Sequence, residues 1–370
     1  MKKLISLLLV ISLALCAVSF ATAEETTYRV AMITDYGDIT DQSFNQTTYE
    51  ACKAFADANG VDFKYYKPAG DSTAERVAAV ESAVDEGYNV IVMPGYAFGG
   101  TIAEVQDSYP DVKFIALDVS SSDLGDGVTL SSNVYCAVYQ EELPGYMAGY
   151  AAVKMGYRHL GFLGGMAVPA VIRYGYGFLQ GADAAAAELG LTDVVVEYGY
   201  GNQFYGDADV TAVMDTWYQA LGVEVVFACG GGIYTSAAEA AAKVEGAKVI
   251  GVDVDQAAQI DGTYGEGMTI TSAMKGLAAT VNKLLTETLA GNFDNYGGKV
   301  ETLGLVSADD ASLNYVGLPT ETTVWTDGFT LDDYNSMVAA MVNGTLTVSN
   351  DTTAMPAVTA VTVNDLGNIK

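Results

Sequence analysis

The 370-residue chain carries 46 acidic and 17 basic side chains, which gives it a formal net charge of −29. Nucleic acids and anionic membrane surfaces are recognised by basic patches, so this charge argues against both as partners. Half of the residues are hydrophobic and only 17% are charged. That composition supports a large core and excludes a disordered chain.

The first 23 residues have the pattern of a secretion signal. Lys2 and Lys3 precede an apolar run over 4–18, and Ala-Thr-Ala over 21–23 forms a small-residue cleavage site. A transmembrane anchor is the weaker alternative, because the run is shorter than about 20 residues. A lipid anchor at Cys16 is a further alternative, although the bulky Leu15 precedes that cysteine. We therefore expect an exported protein that is extracytoplasmic or held at the cell surface.

The chain after the signal first alternates between apolar strands and helices. A parallel sheet covered on both faces is typical of such a pattern. The first predicted strand ends at Asp35 and leads through a polar loop into a helix that Gly60 ends. The predicted strands that follow cover 62–66, 89–93 and 113–118, and the predicted helices cover 72–87 and 101–109.

After a polar stretch over 121–133 and a predicted helix over 141–154, the alternation begins again. The strands predicted here cover 159–165, 193–198, 224–229 and 248–253, and the helices cover 173–189, 208–220 and 235–244. A helix over 274–289 then places Lys275 in its first turn. The remaining predicted elements are a strand over 297–306, a helix over 332–342 and a strand over 358–363.

About 350 residues exceed what one hydrophobic core usually organises, so two domains are expected. We predict a signal peptide over 1–23, a first lobe over 24–140 plus about 272–308, and a second lobe over 141–271 plus about 309–370. Such a division makes the chain cross between the lobes several times, and such crossings act as hinges.

The cysteine and histidine residues give little basis for a catalytic or metal site. Cys52, Cys136 and Cys229 are widely spaced in apolar segments, so we interpret them as buried free thiols. The single histidine, His159, begins an apolar strand, and a structural role is expected for it. The sequence therefore predicts no catalytic residues, no metal site and no cofactor.

Three aspartates each end an apolar predicted strand: Asp35, Asp118 and Asp253. The carboxyl ends of parallel strands are where open α/β sheets bind their ligands. A strand-terminal aspartate often only caps the following turn, but three at equivalent places in two halves favour a site. Because carboxylates accept hydrogen bonds from vicinal hydroxyls, the trio suits a sugar or a ribose.

Aromatic side chains close to these aspartates favour a planar ligand. Phe44 follows a predicted helix cap and precedes Asn45, although Phe44 also shares a helical face with core positions. Stacking of a base on an aromatic ring is worth about 1–3 kcal/mol. Phe204 or its neighbour Tyr205, in a glycine-rich loop, is expected to supply a second ring.

Lys275 is the one cation expected beside the three carboxylates, which leaves the predicted pocket net negative. Two like charges 4 Å apart cost about 4 kcal/mol at an effective dielectric near 20, so a neutral polyol or nucleoside fits better than a nucleotide. The run Gly230, Gly231 and Gly232 is a weak dinucleotide signal, because the third glycine of that fingerprint is missing.

Three segments resemble the basic membrane protein family of ABC transporter substrate-binding proteins. ITDYGDITDQSFNQ over 33–46 is similar to the family's first block, and GFLGGMAVPAVIRYGYGFLQG over 161–181 is similar to its second. The third block is matched by VIGVDVDQ together with SAMK at 272–275. The resemblance implies the type I periplasmic-binding-protein fold, an α/β fold of two doubly wound parallel-sheet lobes joined by several hinge crossings.

The resemblance also implies a function and a set of ligand-binding residues. It indicates a purine nucleoside bound between the lobes and delivered to an ABC transporter permease, with no enzymatic activity. The ligand-binding residues that it implies are Asp35, Phe44, Asn45, Asp118, Phe204, Asp253 and Lys275. A sugar or autoinducer binder of the same fold is the first alternative, and an exported nucleoside-processing enzyme is the second.

Overall fold

The chain folds around two separate β-sheets in the computed structural model, which describes residues 27–35 and 37–370. The predicted signal peptide over 1–23 and Cys16 therefore lie outside the described residues. Among the residues described, no helix has both the length and the apolar character needed to cross a bilayer.

The first sheet has six parallel strands in the order β11-β5-β4-β3-β1-β2. Along β1, Val30 and Met32 belong to one buried apolar cluster while Ala31 and Ile33 belong to another. Both faces are therefore covered, as the continuous apolar strands predict. The strands are β1 (Arg29–Ile33), β2 (Asp62–Tyr66), β3 (Val90–Pro94), β4 (Lys113–Leu117), β5 (Val134–Tyr139) and β11 (Lys299–Leu303).

Four helices cover this sheet, and we call the sheet with these helices the first lobe. Helices α1 and α9 pack together on one face, and α2 packs with α3 on the other. Their bounds are α1 (Phe44–Asn59), α2 (Thr73–Asp85), α3 (Phe98–Val105) and α9 (Leu277–Leu289).

The second sheet has seven strands in the order β12-β10-β9-β8-β6-β7-β13, and only the β10–β12 pair is antiparallel. We call this sheet with its helices the second lobe. Its strands are β6 (His159–Gly164), β7 (Val194–Tyr200), β8 (Val225–Cys229), β9 (Lys248–Asp253), β10 (Thr269–Lys275), β12 (Val316–Gly317) and β13 (Val361–Asn368). Its helices are α4 (Glu142–Lys154), α5 (Pro169–Leu189), α6 (Ala208–Asp215), α7 (Tyr234–Ala241), α8 (Ala257–Tyr264) and α10 (Leu331–Val342).

The chain passes between the two lobes three times, after β5, after β10 and after β11. The two-sheet α/β architecture with apolar parallel strands is confirmed. The residue bounds that the sequence suggests for the lobes stay a prediction.

Helices α4 and α5 cross unusually closely near the first of these passages. A Cβ atom added at Gly145 or Gly149 would lie 2.2 or 2.1 Å from a backbone carbonyl oxygen of α5, and one at Gly177 or Gly181 would meet α4 equally closely. Only glycine permits this approach. The crossing fixes the first two turns of α4 against residues 174–181 of α5, and the start of α5 lines the cleft between the lobes.

Several predicted elements differ from those observed. The helix predicted over 274–289 begins at Leu277, because residues up to Lys275 pair with β9 and β12. The helix predicted over 208–220 continues after Asp215 as a π-helical turn, Thr216–Leu221. Strand β5 and helix α8 were not predicted. The three cysteines are buried and free, as predicted, and the imidazole of His159 contacts the Glu197 carboxylate at 3.0 Å.

Candidate functional site

A cavity of about 740 Å³ lies between the two lobes, at the carboxyl ends of strands from both sheets. Open α/β sheets bind ligands at this edge, and the volume is within the range of small-molecule sites. All seven residues that the sequence singled out line the cavity: Asp35, Phe44, Asn45, Asp118, Phe204, Asp253 and Lys275.

The ammonium group of Lys275 lies at the centre of a buried charge cluster. Its Nζ is 2.6 Å from Asp118 Oδ2, 3.5 Å from Asp253 Oδ1 and 3.7 Å from Glu141 Oε1. Burial alone would lower the pKa of Lys275, but the three carboxylates outweigh burial and raise that pKa above its usual range. Lys275 is therefore a fixed positive charge in the cavity wall.

The predicted position of Lys275 in a helical first turn was wrong. Lys275 is the last residue of β10, and Gly276 separates the strand from α9. Pairing of Met274 with Asp253 of β9 and of Lys275 with Val316 of β12 extends the strand through this position. The lysine reaches the cavity from a strand end, in the same way as the aspartates.

Asp118 and Asp253 have the same unusual backbone conformation in the two lobes. Their φ angles are +59° and +66°, in the left-handed region that non-glycine residues seldom adopt. Asp118 follows β4 and Asp253 ends β9. Strained conformations of this kind concentrate at functional sites, and here the strain aims two carboxylates at one lysine. Burial raises the pKa of Asp253.

Asp35 lies two residues beyond the end of β1 and is 8% exposed. Its Oδ1 accepts a hydrogen bond of 2.7 Å from the Gly37 N–H. Burial raises the pKa of Asp35 to about 6, and the Gly37 hydrogen bond opposes that rise only in part. A Cβ atom at Gly95 would lie 2.5 Å from Asp35 Oδ2, so the glycine makes room for the carboxylate.

Phe44 and Asn45 are the first residues of α1. The side chain of Asp41 accepts hydrogen bonds from the backbone N–H groups of Ser43, Asn45 and Gln46, which satisfies the free donors of the helix start. The ring of Phe44 has its centroid 4.6 Å from Lys275 Nζ. Phe44 is half-buried. Its ring lines the cavity and also packs against the core, so it occupies both of the positions that the sequence suggested.

The N-terminus of α1 also bonds directly to the second lobe. The Ser43 hydroxyl donates to Asp253 Oδ2 at 2.7 Å, and Gln256 Nε2 donates to the Gln42 carbonyl at 3.0 Å. These two hydrogen bonds, together with the contact of Lys275 with Asp118, join the lobes across the cleft. The sequence indicated no role for Ser43 beyond a helix cap.

Phe204 lies against a floor of glycine backbone in the second lobe. A Cβ atom at Gly165 would be 2.5 Å from the Phe204 ring, and one at Gly230 would be 3.0 Å from it. The Gly232 N–H donates to the Phe204 carbonyl at 2.8 Å. The three consecutive glycines therefore accommodate Phe204 and its loop. The neighbouring Tyr205 is 61% exposed, although it also lines the cavity.

Three further residues of this region were missed by sequence reasoning. Glu141, fully buried, accepts a hydrogen bond of 2.6 Å from Arg173 Nε in addition to its contact with Lys275. Burial raises the pKa of Glu141, against the opposing effect of Arg173 and Lys275. Tyr174 is buried beside Arg173 at the start of α5. The available signal was two adjacent glutamates, Glu141 and Glu142, at the start of an apolar helix.

Some polar atoms of the cavity wall have no hydrogen-bond partner within the described part of the chain. They are Asn45 Oδ1, Asp118 Oδ1 and the Tyr174 hydroxyl. Buried polar atoms are normally satisfied, so these atoms are available to a ligand. The wall also carries an excess of acids, namely Asp35, Asp38, Asp41, Asp71, Asp118, Asp123 and Asp253 against Lys67, Arg173 and Lys275.

Curated relatives share most of the chain with this protein. The ABC transporter nucleoside-binding protein BmpA of Lactococcus lactis subsp. cremoris (strain MG1363) is 25% identical over 299 residues, which is 76% of this chain and 80% of that protein. The CD4+ T-cell-stimulating antigen of Listeria innocua serovar 6a (strain ATCC BAA-680 / CLIP 11262) is 29% identical over 290 residues, 74% of this chain and 77% of that protein.

Solved structures confirm the expected type I periplasmic-binding-protein fold. An ABC transporter solute-binding protein from Aeropyrum pernix K1 superposes with a TM-score of 0.67 at 22% identity, over 88% of both chains. One from Conexibacter woesei DSM 14684 gives a TM-score of 0.66 at 22% identity, over 87% of this chain and 99% of that chain.

The family model described as "Bmp: ABC transporter substrate-binding protein PnrA-like" matches residues 28–314. That match covers more than half of the chain and includes every residue that the sequence proposed for the site. Members of the family are extracytoplasmic solute-binding proteins and not enzymes. The chain belongs to the Bmp family of ABC transporter substrate-binding proteins.

Proposed function

We propose that this protein binds a purine nucleoside between its two lobes and delivers it to the permease of an ABC importer. The observation that carries the proposal is the proximity of the Phe44 ring to the buried Lys275 cluster, 4.6 Å from ring centroid to ammonium. A nucleoside joins a flat base directly to a hydroxyl-bearing sugar. The cavity likewise offers a flat ring beside a group of carboxylates.

Each of the seven residues has a role in this proposal. Phe44 and Phe204 stack on the two faces of the base, and Asn45 bonds the edge of the base through its unpartnered Oδ1. Lys275 donates to the ligand, while the carboxylates of Asp35, Asp118 and Asp253 accept hydrogen bonds from ligand N–H and O–H groups. The high exposure of Tyr205 makes Phe204 the better second ring.

The charge of the cavity favours an uncharged ligand. Seven aspartates against three cations leave the wall net negative, and the one lysine at its centre is already engaged by three carboxylates. A phosphate group brought into this field would be repelled. A nucleoside therefore fits the electrostatics better than a nucleotide, and the Lactococcus relative named as nucleoside-binding supports the same ligand class.

Export and lobe movement complete the proposal. Residues 1–23 act as a secretion signal whose cleavage after Ala23 releases the mature protein outside the membrane. The alternative is cleavage before Cys16, which would leave the protein anchored by a lipid on that cysteine. The lobes, with bounds at 24–140 plus about 272–308 and 141–271 plus about 309–370, close on the ligand about the three connections between them.

Thermal unfolding with a panel of ligands tests the ligand class. Inosine, guanosine or adenosine at about one hundred times its dissociation constant should stabilise the protein by about 2.7 kcal/mol. Ribose alone tests the alternative of a sugar binder, and free hypoxanthine released from inosine would reveal an enzyme. If no purine nucleoside raises the unfolding temperature, the nucleoside assignment is wrong.

A further inference from the structure

The segment that follows α10 runs from residue 343 to the edge of the ligand cleft. It lies beyond residues 28–314, which match the family model. The segment crosses α5, forms β13 beside β7, and brings Ile369 and Lys370 to the loop over residues 201–207. That loop joins β7 to α6 and carries Phe204.

Two side chains of α5 fix the segment before it enters the sheet. Gln180 forms a pair of hydrogen bonds with Ser349, donating to its carbonyl at 3.0 Å and accepting from its N–H at 2.9 Å. Asp183 Oδ1 accepts three backbone N–H groups, those of Thr359, Ala360 and Val361, at 2.6–3.2 Å. The course of the segment is therefore specified by contacts with the second lobe.

The pairing of β13 with β7 sets where the segment ends. The ladder continues to Asn368 opposite Tyr200, and the Ile369 N–H then donates to the Tyr200 carbonyl at 2.9 Å. A Cβ atom at Gly199 would lie 2.7 Å from the Ile369 side chain, so glycine allows this close contact. Lys370 is thereby placed beside the first residues after β7.

Lys370 contacts two residues of the loop, one on each side of Phe204 in the sequence. Its Nζ donates to Gln203 Oε1 at 2.8 Å and forms an ion pair with the Asp207 carboxylate. Gln203 is buried, and its Nε2 donates to the Tyr205 carbonyl at 2.8 Å, on the far side of Phe204. Asp207 is the N-cap of α6, and its hydrogen bond from Lys370 holds the pKa of its carboxyl below the usual range.

We propose that Lys370 is a positioning residue of the ligand site, which fixes the loop over 201–207 in the conformation that presents the Phe204 ring to the cleft. The lysine does not line the cavity and acts only through Gln203 and Asp207. The role of the ring itself rests on the proposed function. The fixing of the loop does not, because the contacts that fix it join Lys370, Gln203 and Asp207 to one another and involve no ligand atom.

Hydrogen exchange of the ligand-free protein tests the fixing of the loop. Lys370→Met removes the charge and keeps the length of the side chain, and Lys370→Arg keeps the charge. The control is Lys243→Met, since Lys243 is an exposed lysine of the same lobe whose partners are Asp215 and Glu239. Amides of residues 202–206 should exchange about two- to five-fold faster in Lys370→Met, because loss of a surface ion pair changes an opening equilibrium by about that factor. In the other two variants they should exchange near the wild-type rate. Equal exchange in Lys370→Met and wild type would overturn the proposal.

Inosine affinity, measured by calorimetry in the Phe204→Ala background, tests whether the lysine acts through the ring. Lys370→Met should weaken inosine binding about two- to five-fold when Phe204 is present and should add no further loss when Phe204 is alanine. An equal loss in both backgrounds would contradict positioning through Phe204. Absence of inosine binding by the wild type would instead contradict the proposed ligand, and the exchange rates would still decide whether Lys370 fixes the loop.

Discussion

Lys275 Nζ of the second lobe lies 2.6 Å from Asp118 Oδ2 of the first lobe, across the cleft. Lys275 ends β10 and Asp118 follows β4, so the two residues come from strands of different sheets. Their side chains are 3% and 11% exposed. A charged pair this well buried joins the two lobes at the site where the ligand is proposed to bind.

Replacement of Lys275 by methionine should destabilise the protein strongly. The variant leaves Asp118 and Asp253 buried without their cation, whereas Glu141 keeps Arg173. Removal of one partner from a buried ion pair costs about 3–5 kcal/mol. Urea unfolding at pH 7 measures the loss. Lys53→Met is the control, because Lys53 forms an exposed pair with Asp57. A midpoint for the Lys275 variant that equals the control's would contradict this account of the cluster.

Asp35→Asn should change how stability depends on pH. Burial raises the pKa of Asp35 in the folded protein to about 6, whereas the ordinary pKa of an aspartate side chain is 3.8. Folded wild type therefore binds an extra proton between these values, and its stability falls as the pH rises through that window. The shift corresponds to about 3 kcal/mol.

The variant lacks this titration, so its stability relative to wild type should rise from pH 4 to pH 7 by up to that amount. Urea unfolding at half-unit pH intervals measures the difference curve. A difference that stays flat across pH 4–6 would show that Asp35 has an ordinary pKa.

Phe44→Leu should weaken nucleoside binding while preserving the fold. Leucine keeps the apolar contact with the core but offers no flat face to a base, and base stacking on an aromatic ring is worth about 1–3 kcal/mol. Inosine affinity measured by calorimetry should fall about 5- to 150-fold. An unchanged affinity, with an unchanged unfolding temperature, would contradict a stacking role for Phe44.

Alanine substitutions at Phe204 and Tyr205 distinguish the two candidates for the second ring. Phe204 packs on Gly165 and Gly230, whereas Tyr205 is 61% exposed. Phe204→Ala should therefore cost inosine binding about 1–3 kcal/mol, and Tyr205→Ala should cost little. The reverse ranking in calorimetry would assign the second ring to Tyr205.

Ser43→Ala should favour the open arrangement of the lobes. The Ser43 hydroxyl donates to the Asp253 carboxylate across the cleft, and a hydrogen bond to a charged group contributes about 1.5–3 kcal/mol. Without ligand, the variant should show a larger radius of gyration by small-angle X-ray scattering than wild type. Ser82→Ala, which removes a hydroxyl bonded only within α2, is the matched control. Identical scattering from all three proteins would exclude a role for Ser43 in closure.

The grouping of Asp35, Asp118 and Asp253 was predictable because each ends a predicted apolar strand, and parallel strands bring their carboxyl ends together. The position of Lys275 at a strand end was not predictable from the sequence, because Met274 and Leu277 have helical spacing. Only pairing with β9 and β12 extends β10 through Lys275. Tertiary pairing overrides local propensity at such boundaries.

Helix α8 and Glu141 were also missed by sequence reasoning, the helix because it is short and the glutamate because its contacts are distant in sequence. Helix α8 has eight residues and includes Gly262, so its periodicity is too short to recognise. It is held by the Asp255 side chain at its first N–H and by packing against β10. Glu141 was missed because the adjacent glutamates do not reveal its partners, Arg173 and Lys275, which reach it from distant parts of the chain.

Calorimetric titration of ligand-free protein with inosine and with inosine 5′-monophosphate tests the central claim most directly. The claim is that the net negative cavity, with Phe44 beside Lys275, binds a neutral nucleoside much more tightly than the corresponding nucleoside monophosphate. We predict saturable binding of inosine with one site per chain and binding of the monophosphate at least about one hundred-fold weaker, from a repulsion of roughly 3–4 kcal/mol. No heat with inosine, or equal affinity for the two compounds, would contradict the claim.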